Sequence, residues 1–394
     1  MPQLGVSVKG ASCYPPAMPG SIVIVGGGLM GLSAAWHLRR ADPGRRVVLL
    51  ERARVGAAAS GASAAGVRVM GRDPAERALA LLSLERWSEL DRELGGPTVY
   101  RRGGGLRVAL DDATWAQAAA WVAEQRADGV PVELVDAAAA RRLAPGIAPA
   151  CRGGVFCAMD GQAEAGPTVL AFSNAVRRAD TRVDERVTVE RVIVERGRVV
   201  AVARSDGRRE ACDVVIVAAG TWSAGLLAEH GVRLPLSTRA LQMLLTEPGP
   251  GTLAPVLSAF DRKLSFKQLV GGAYLIGGGW PASIADEAGN RWQLLDDSVR
   301  SSLAVAAEVY PPAAGIKMAR GWAGLEAFTP DDLPVLGRVP GLEGVLVAAG
   351  FSGHGFALAP VVGDILARLA LGHDAREATW RGLAVERFMT KGRA

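Results

Sequence analysis

Two periodicities alternate along the chain. Ser21–Val25 (SIVIV) and Val47–Leu50 are short apolar runs of strand length. Between them, Leu29–Arg40 places Leu32, Ala35, Trp36 and Leu38 at helical spacing, and Asp42-Pro43-Gly44 ends that helix. A buried strand, a helix and a second buried strand within about thirty residues predict a βαβ unit and a parallel sheet. Asp73–Leu94 reads as one long helix, Gly103–Leu110 as a strand, Ala113–Asp128 as a helix, Pro131–Val135 as a strand and Ala137–Leu143 as a short helix. Val187–Val194 and Val199–Arg204 pair around a turn at Gly197, and Val214–Ala218 is a continuous apolar strand. Ala240–Thr246 and Tyr274–Gly277 suggest strands of an antiparallel sheet. Asp297–Tyr310 is a helix stopped by Pro311-Pro312. Val345–Ala349 is a last strand, followed by a glycine turn and a helix over Pro360–Leu371.

Length and composition narrow the class. A chain of 394 residues, 49% hydrophobic and 22% charged, has enough apolar surface for a large core in two domains, which excludes global disorder. No apolar run approaches the ~18 residues of a membrane helix. Residues 1–19 read as a loose leader without the apolar stretch of a signal peptide, so the expected location is cytoplasmic. Cys13, Cys151, Cys157 and Cys212 are too sparse for a disulfide scaffold, show no CxxC spacing, and read as structural. The net charge of +5 comes from scattered arginines, often beside acids as in Glu51-Arg52. No basic stripe with interleaved aromatics is present, so nucleic acid is not an expected partner.

Glycine takes 49 positions, above the ~7% of average proteins, and its placement carries the chemistry. Gly26-x-Gly28-x-x-Gly31 follows a strand, opens a helix, and has an acid, Glu51, twenty residues beyond. In that context the motif is a dinucleotide fingerprint. Gly26 permits the turn, Gly28 the approach of a pyrophosphate, and Gly31 close helix–strand packing, while Leu29 and Met30 stand in the first helical turn. Glu51 would accept from a ribose diol. NAD and FAD both use this fingerprint. The loop Gly56–Gly66 (GAAASGASAAG) is nearly bare of side chains, with Ser60 and Ser63 as hydroxyl candidates beside a long planar ligand. Asp213–Ser223 (DVVIVAAGTWS) and Gly344–Gly355 (GVLVAAGFSGHG) both run a buried strand into Ala-Ala-Gly, and the second feeds a helix whose N-terminus suits negative charge on a reduced ring.

These pieces, with TPDDLPVLGRVPGLEGVLVAAGFSGHGFALAP, resemble the D-amino acid oxidase-type FAD oxidoreductases, the group of glycine oxidase, sarcosine oxidase and related amine dehydrogenases, from Ser21 to Gly372. The resemblance implies an α/β (α+β) fold: a Rossmann-type, glutathione reductase-like FAD domain interleaved with an antiparallel substrate domain. The FAD domain is expected over 20–95, 150–225 and 323–380, and the substrate domain over 96–149 and 226–322. It implies FAD bound by Gly26, Gly28, Leu29, Met30, Gly31, Glu51, Arg52, Ser60, Ser63, Ala64, Gly66, Val67, Ala219, Gly220, Trp222, Gly350, Gly353, Gly355 and Phe356. It also implies oxidation of the C–N bond of an amine or amino acid by hydride transfer to flavin N5, giving an imine that hydrolyses. Since the cofactor carries that chemistry, no Ser/His/Asp triad or metal is required.

Among individual residues, His354 is expected near the flavin, Arg68 against a substrate carboxylate, and Lys267 as a cation near flavin N5; Arg72, Trp280 and Trp322 are substrate-pocket candidates. The chain departs from sarcosine oxidase proper at three points. Ala357 stands where that enzyme has a lysine two residues after its GHG turn, Leu275 where it has another, and Met318–Leu325 contains no cysteine to link the flavin. Non-covalent FAD and slow use of oxygen are therefore expected, the acceptor being oxygen or another carrier. Two alternatives stay open: oxidation of a 2-hydroxy acid, or service as the flavoprotein subunit of a heteromeric dehydrogenase. Homo- and hetero-oligomers are both compatible with the sequence.

Overall fold

The structure is a computed structural model that describes residues 20–389; the leader and Cys13 lie outside the described residues. Ile22–Val25, Val47–Glu51, Arg182–Glu185, Val214–Val217, Val335–Arg338 and Val345–Ala349 form a six-stranded sheet, in which Ile22–Val25 lies between Val214–Val217 and Val47–Glu51. Ile24 faces Ile216 on one side and Leu49 on the other, both in parallel register. The Val335–Arg338 edge alone pairs antiparallel. Ile22–Val25 is buried at every residue, as expected for a parallel sheet covered on both faces.

The second layer is a ten-stranded sheet that includes Gly105–Ala109, Gly153–Cys157, Ser237–Pro248, Ser265–Gln268 and Ala273–Gly277. Met318–Phe328 pairs with Ser237–Pro248 along nearly its whole length. The chain crosses between the two layers repeatedly, so neither is continuous in sequence. The boundaries differ from those expected at two places. Gly153–Cys157 belongs to the large sheet, not to the cofactor layer, and so does all of Met318–Phe328 rather than only its part before residue 323.

Several elements also differ locally. Asp73–Leu94 is two helices, Pro74–Trp87 and Leu90–Leu94, with Ser88 and Glu89 between. Ala165–Arg178, absent from the sequence expectation, is a helix whose start is obscured by Gly166-Pro167; proline is tolerated there because first-turn N–H groups have no helical partner. The last helix begins at Gly355, not at Pro360, which sits inside it. Cys151, Cys157 and Cys212 are free and buried.

Two helices decide the geometry of the cofactor layer. Leu29–Ala41 packs along Gly355–Leu371, and a Cβ built on Gly363 would lie 2.1 Å from Ser33 Oγ. The helices approach that closely because glycine stands at the contact. Replacing Gly363 with valine should lower stability by about 2 kcal/mol through overpacking, seen as a reduced urea midpoint. Gly166→Ala is the control, since its Cβ would meet nothing within 4 Å. Equal midpoints for Gly363→Val and the parent would contradict this packing.

Candidate cofactor and active site

The site is built where strands stop. Ile22–Val25 ends at Gly26, whose φ of +109° is open to glycine, and a Cβ there would lie 2.4 Å from the Ala218 carbonyl oxygen. A Cβ on Gly31 would lie 2.0 Å from the Gly26 carbonyl oxygen, so these two glycines are fixed by backbone-to-backbone contact. Gly28 is the N-cap of Leu29–Ala41; its backbone is extended, and it has no side chain to cap the helix itself. Beyond the Leu29 N–H, which Ser60 takes, the first-turn N–H groups and their partial positive charge are left to a ligand.

The neighbouring residues frame that helix start. Glu51 Oε2 accepts from the Gly27 N–H at 2.7 Å, and Oε1 accepts from the Ala53 N–H at 2.7 Å. The carboxylate is thereby locked at the end of its strand with lone pairs remaining. Ser60 Oγ accepts from the Leu29 N–H at 2.9 Å. Ser63 Oγ accepts from the Ala65 N–H at 3.0 Å. The Arg52 guanidinium lies 3.6 Å over the Trp222 ring, and burial lowers its pKa from the ordinary arginine value.

A second helix start faces the same space. Val345–Ala349 ends at Gly350 with φ +69°, where a Cβ would lie 2.6 Å from Thr329 Cγ2. Gly353 is also left-handed, at φ +85°. His354 is the N-cap of Gly355–Leu371, again without a side-chain cap. Phe356 stacks on Trp87 at 5.3 Å.

One cavity of about 710 Å³ connects the two helix starts. Of the expected cofactor residues, Gly26, Gly28, Leu29, Met30, Glu51, Arg52, Ser60, Ser63, Ala219, Gly220, Trp222, Gly350, Gly353, Gly355 and Phe356 line it. Gly31, Ala64, Gly66 and Val67 are not among the lining residues; Gly66 and Val67 pair with Gln162 and Gly161 behind the loop. The sequence reading missed Val187–Glu190, Asn290 and Leu325–Ala327, which complete the wall. The strand Met318–Phe328 offered the only signal for the last of these, since it leads straight into the Thr329-Pro330-Asp331 turn. Two helix starts, a locked acid and a nearly bare loop around one elongated cavity fit a dinucleotide with a ring system at one end.

The residues expected to do chemistry are placed differently. His354 Nδ1 lies 3.2 Å from Glu76 Oε2, and Nε2 lies 3.1 Å from the Asp332 carbonyl oxygen. Glu76 is only 2% exposed, and its Oε1 lies 3.6 Å from Arg72 Nη1. Arg72 Nε donates to the Arg68 carbonyl at 3.2 Å. Burial pushes the Arg72 guanidinium down to about 10, with Glu76 opposing. Through Glu76, His354 joins the start of the last helix to Pro74–Trp87; neither His354 nor Arg72 is among the residues lining the cavity. Trp280 Nε1 donates to the Lys263 carbonyl at 3.0 Å, and Trp322 Nε1 donates to the Ala62 carbonyl at 3.0 Å. Neither lines the cavity; Trp322 pins the small-residue loop to the large sheet.

Arg68, like Arg77, Arg101 and Arg107, has a buried Nε without a hydrogen-bond partner, and none of the four is among the residues lining the cavity. Beside Arg68, Asp160 accepts from the Val69 N–H at 2.7 Å. Burial raises the Asp160 pKa, while Arg68 pulls it down. Guanidinium donors held inside the protein without a partner suit an incoming carboxylate.

A family description, DAO: FAD dependent oxidoreductase, matches residues 21–369. Glycine oxidase of Pseudomonas putida is 30% identical over 369 residues, which cover 91% of this chain and 96% of that protein. L-proline dehydrogenase from P. horikoshii shares the fold at a TM-score of 0.84, with 24% identity over 95% of this chain and 99% of that one. Glycine oxidase from Geobacillus kaustophilus does so at 0.82, with 24% identity over 90% and 95%. The chain belongs to the DAO family of FAD-dependent oxidoreductases.

Proposed function

We propose that the chain oxidises the C–N bond of an amine or amino acid, primary or N-alkylated, with the substrate held between the flavin and the large antiparallel sheet. When bound, FAD supplies the hydride acceptor for that bond. The chain's residues do the rest. Met30, Gly355 and Phe356 stand in the two first helical turns at the cavity wall, Glu51 stands at the nucleotide end, and Leu325–Ala327 of the sheet close the other end. The observation that carries the reading is the cavity itself, which joins the two helix starts and is closed at one end by Leu325–Ala327 of the large sheet. Arg68, whose buried Nε is unpartnered although it is not among the lining residues, is the guanidinium we assign to a substrate carboxylate.

The electron acceptor is read from Lys267. Its Cα partner across the sheet is Leu275. Lys267 is 2% exposed, its Nζ donates to the Ala163 carbonyl at 2.6 Å, and it does not line the cavity. Burial lowers its pKa to about 7, against the pull of Glu164 and with that of Arg101. A side chain so placed is no fixed cation beside the ring, where one would stabilise oxygen's developing negative charge. A carrier other than oxygen is the acceptor this favours.

The test is anaerobic bleaching of the bound flavin across amines, N-methyl amino acids, amino acids and 2-hydroxy acids, followed by mixing the reduced protein with oxygenated buffer or an acceptor dye. Amines or amino acids should bleach it, and the dye should reoxidise it faster than oxygen. Bleaching by 2-hydroxy acids alone would defeat the reading, and rapid reoxidation by oxygen would defeat its second half.

Lys267 also makes a pH prediction. Between about pH 7 and about pH 10.5 the unfolded chain carries a proton on Lys267 that the folded chain has released. Stability should therefore rise with pH across that window. Lys267→Met should show a shallower rise in denaturant titrations at successive pH values. Parallel curves for the two proteins would rule the burial out.

A further inference from the structure

At its Gly350–Phe356 end the cavity closes on a strand of the large sheet, where Leu325, Glu326 and Ala327 line it together. The other charged residues among those lining it are Glu51, Arg52 and Glu190. They gather at the opposite end, where the Val187 N–H donates to the Glu51 carbonyl. Among the charged residues lining the cavity, Glu326 is thus the one at the second helix start.

A carboxylate inside a protein requires a cation or several hydrogen bonds. The neighbours of Glu326 supply little of either. Arg239, its Cα partner on the adjoining strand, is exposed and lies 4.2 Å over the Phe328 ring. His354, on the turn beside it, is engaged with Glu76. What reaches Glu326 is the Gly353 N–H, and a Cβ on Gly353 would already lie 3.5 Å from Glu326 Oε2. Burial pushes the carboxyl up to about 7 despite that N–H. The group is enclosed by protein, open to the cavity, and short of a positive partner.

We propose that Glu326 receives the substrate as a cation: its carboxylate binds the ammonium group and accepts one of its protons, leaving a neutral amine and a neutral carboxylic acid. Both charges disappear together, which a low-dielectric cavity favours. The nitrogen lone pair is then free to assist departure of hydride from the adjoining carbon. For its substrate this rests on the amine-oxidation reading, and it narrows that reading to nitrogens that arrive protonated.

The test titrates the FAD-loaded protein calorimetrically with tert-butylammonium, which has no hydrogen on the carbon bearing nitrogen and cannot be oxidised. Acetate is the anionic comparison. The cation should bind, with affinity rising from about pH 6 to about pH 8 as the carboxyl loses its proton. Glu326→Gln should weaken it roughly tenfold or more and remove the pH dependence, while leaving acetate unchanged. Glu326→Asp keeps the charge and should retain part of the affinity, and flavin absorbance reports whether each variant is folded. Unchanged cation binding in Glu326→Gln overturns the proposal. So does a shift in flavin potential with cation affinity intact, because Glu326 would then act on the cofactor. The two readings fail separately: cation binding through Glu326 with no amine able to bleach the flavin would sink amine oxidation and support cation recognition.

Discussion

The first backbone N–H groups of every α-helix lack a partner within the helix, and a buried donor left unpaired costs about 1–3 kcal/mol. In most helices a serine, threonine or aspartate side chain takes that place. Here two long helices, Leu29–Ala41 and Gly355–Leu371, start at N-cap residues, Gly28 and His354, whose own side chains do not cap them, and both first turns line one cavity. They are brought together by glycine: Gly363 against Ser33 along their length, and Gly31 against Gly26 at the strand end. The structure therefore concentrates unpaired donors and helix-dipole charge in one elongated space. A ligand rich in acceptor oxygens, with a phosphate group and a carbonyl-bearing ring, satisfies both ends at once. FAD has that composition, and the large sheet closing over one end leaves room for a substrate beside the ring.

The cofactor half of this arrangement was legible in the sequence because it depends on glycines and apolar runs. Gly26, Gly28 and Gly31 are dictated by turn and contact geometry, and Val214–Val217 and Val345–Ala349 are buried on both faces, so both leave continuous signals. The substrate half was less legible. Its sheet strands alternate weakly, and residues such as Glu326 are ordinary polar positions until the strand Met318–Phe328 is laid against the cavity. Helix Ala165–Arg178 carries Gly166-Pro167 in its first turn, two poor helix formers that leave little local signal. The last helix begins at Gly355, and Pro360 lies inside it.

His354 and Arg72 illustrate a further limit. Their types and positions suit catalysis, yet each is held by Glu76, a buried acid that no local motif announces. A pairing between residues almost three hundred positions apart is set by helix packing, not by spacing. The same packing leaves Arg68 and Glu326 with unmet electrostatic needs, and those unmet needs distinguish a binding group from a structural one here.

The most direct test of the account is calorimetric titration of the flavin-free chain with FAD, FMN and NAD. The cavity has two anion-seeking ends and a nucleotide wall at Glu51. FAD should therefore bind about a hundredfold or more tighter than FMN, which lacks the adenosine half, with the difference abolished by disruption of the Gly28–Met30 helix start. Equal affinity for FMN, or binding of NAD in preference to FAD, would contradict it.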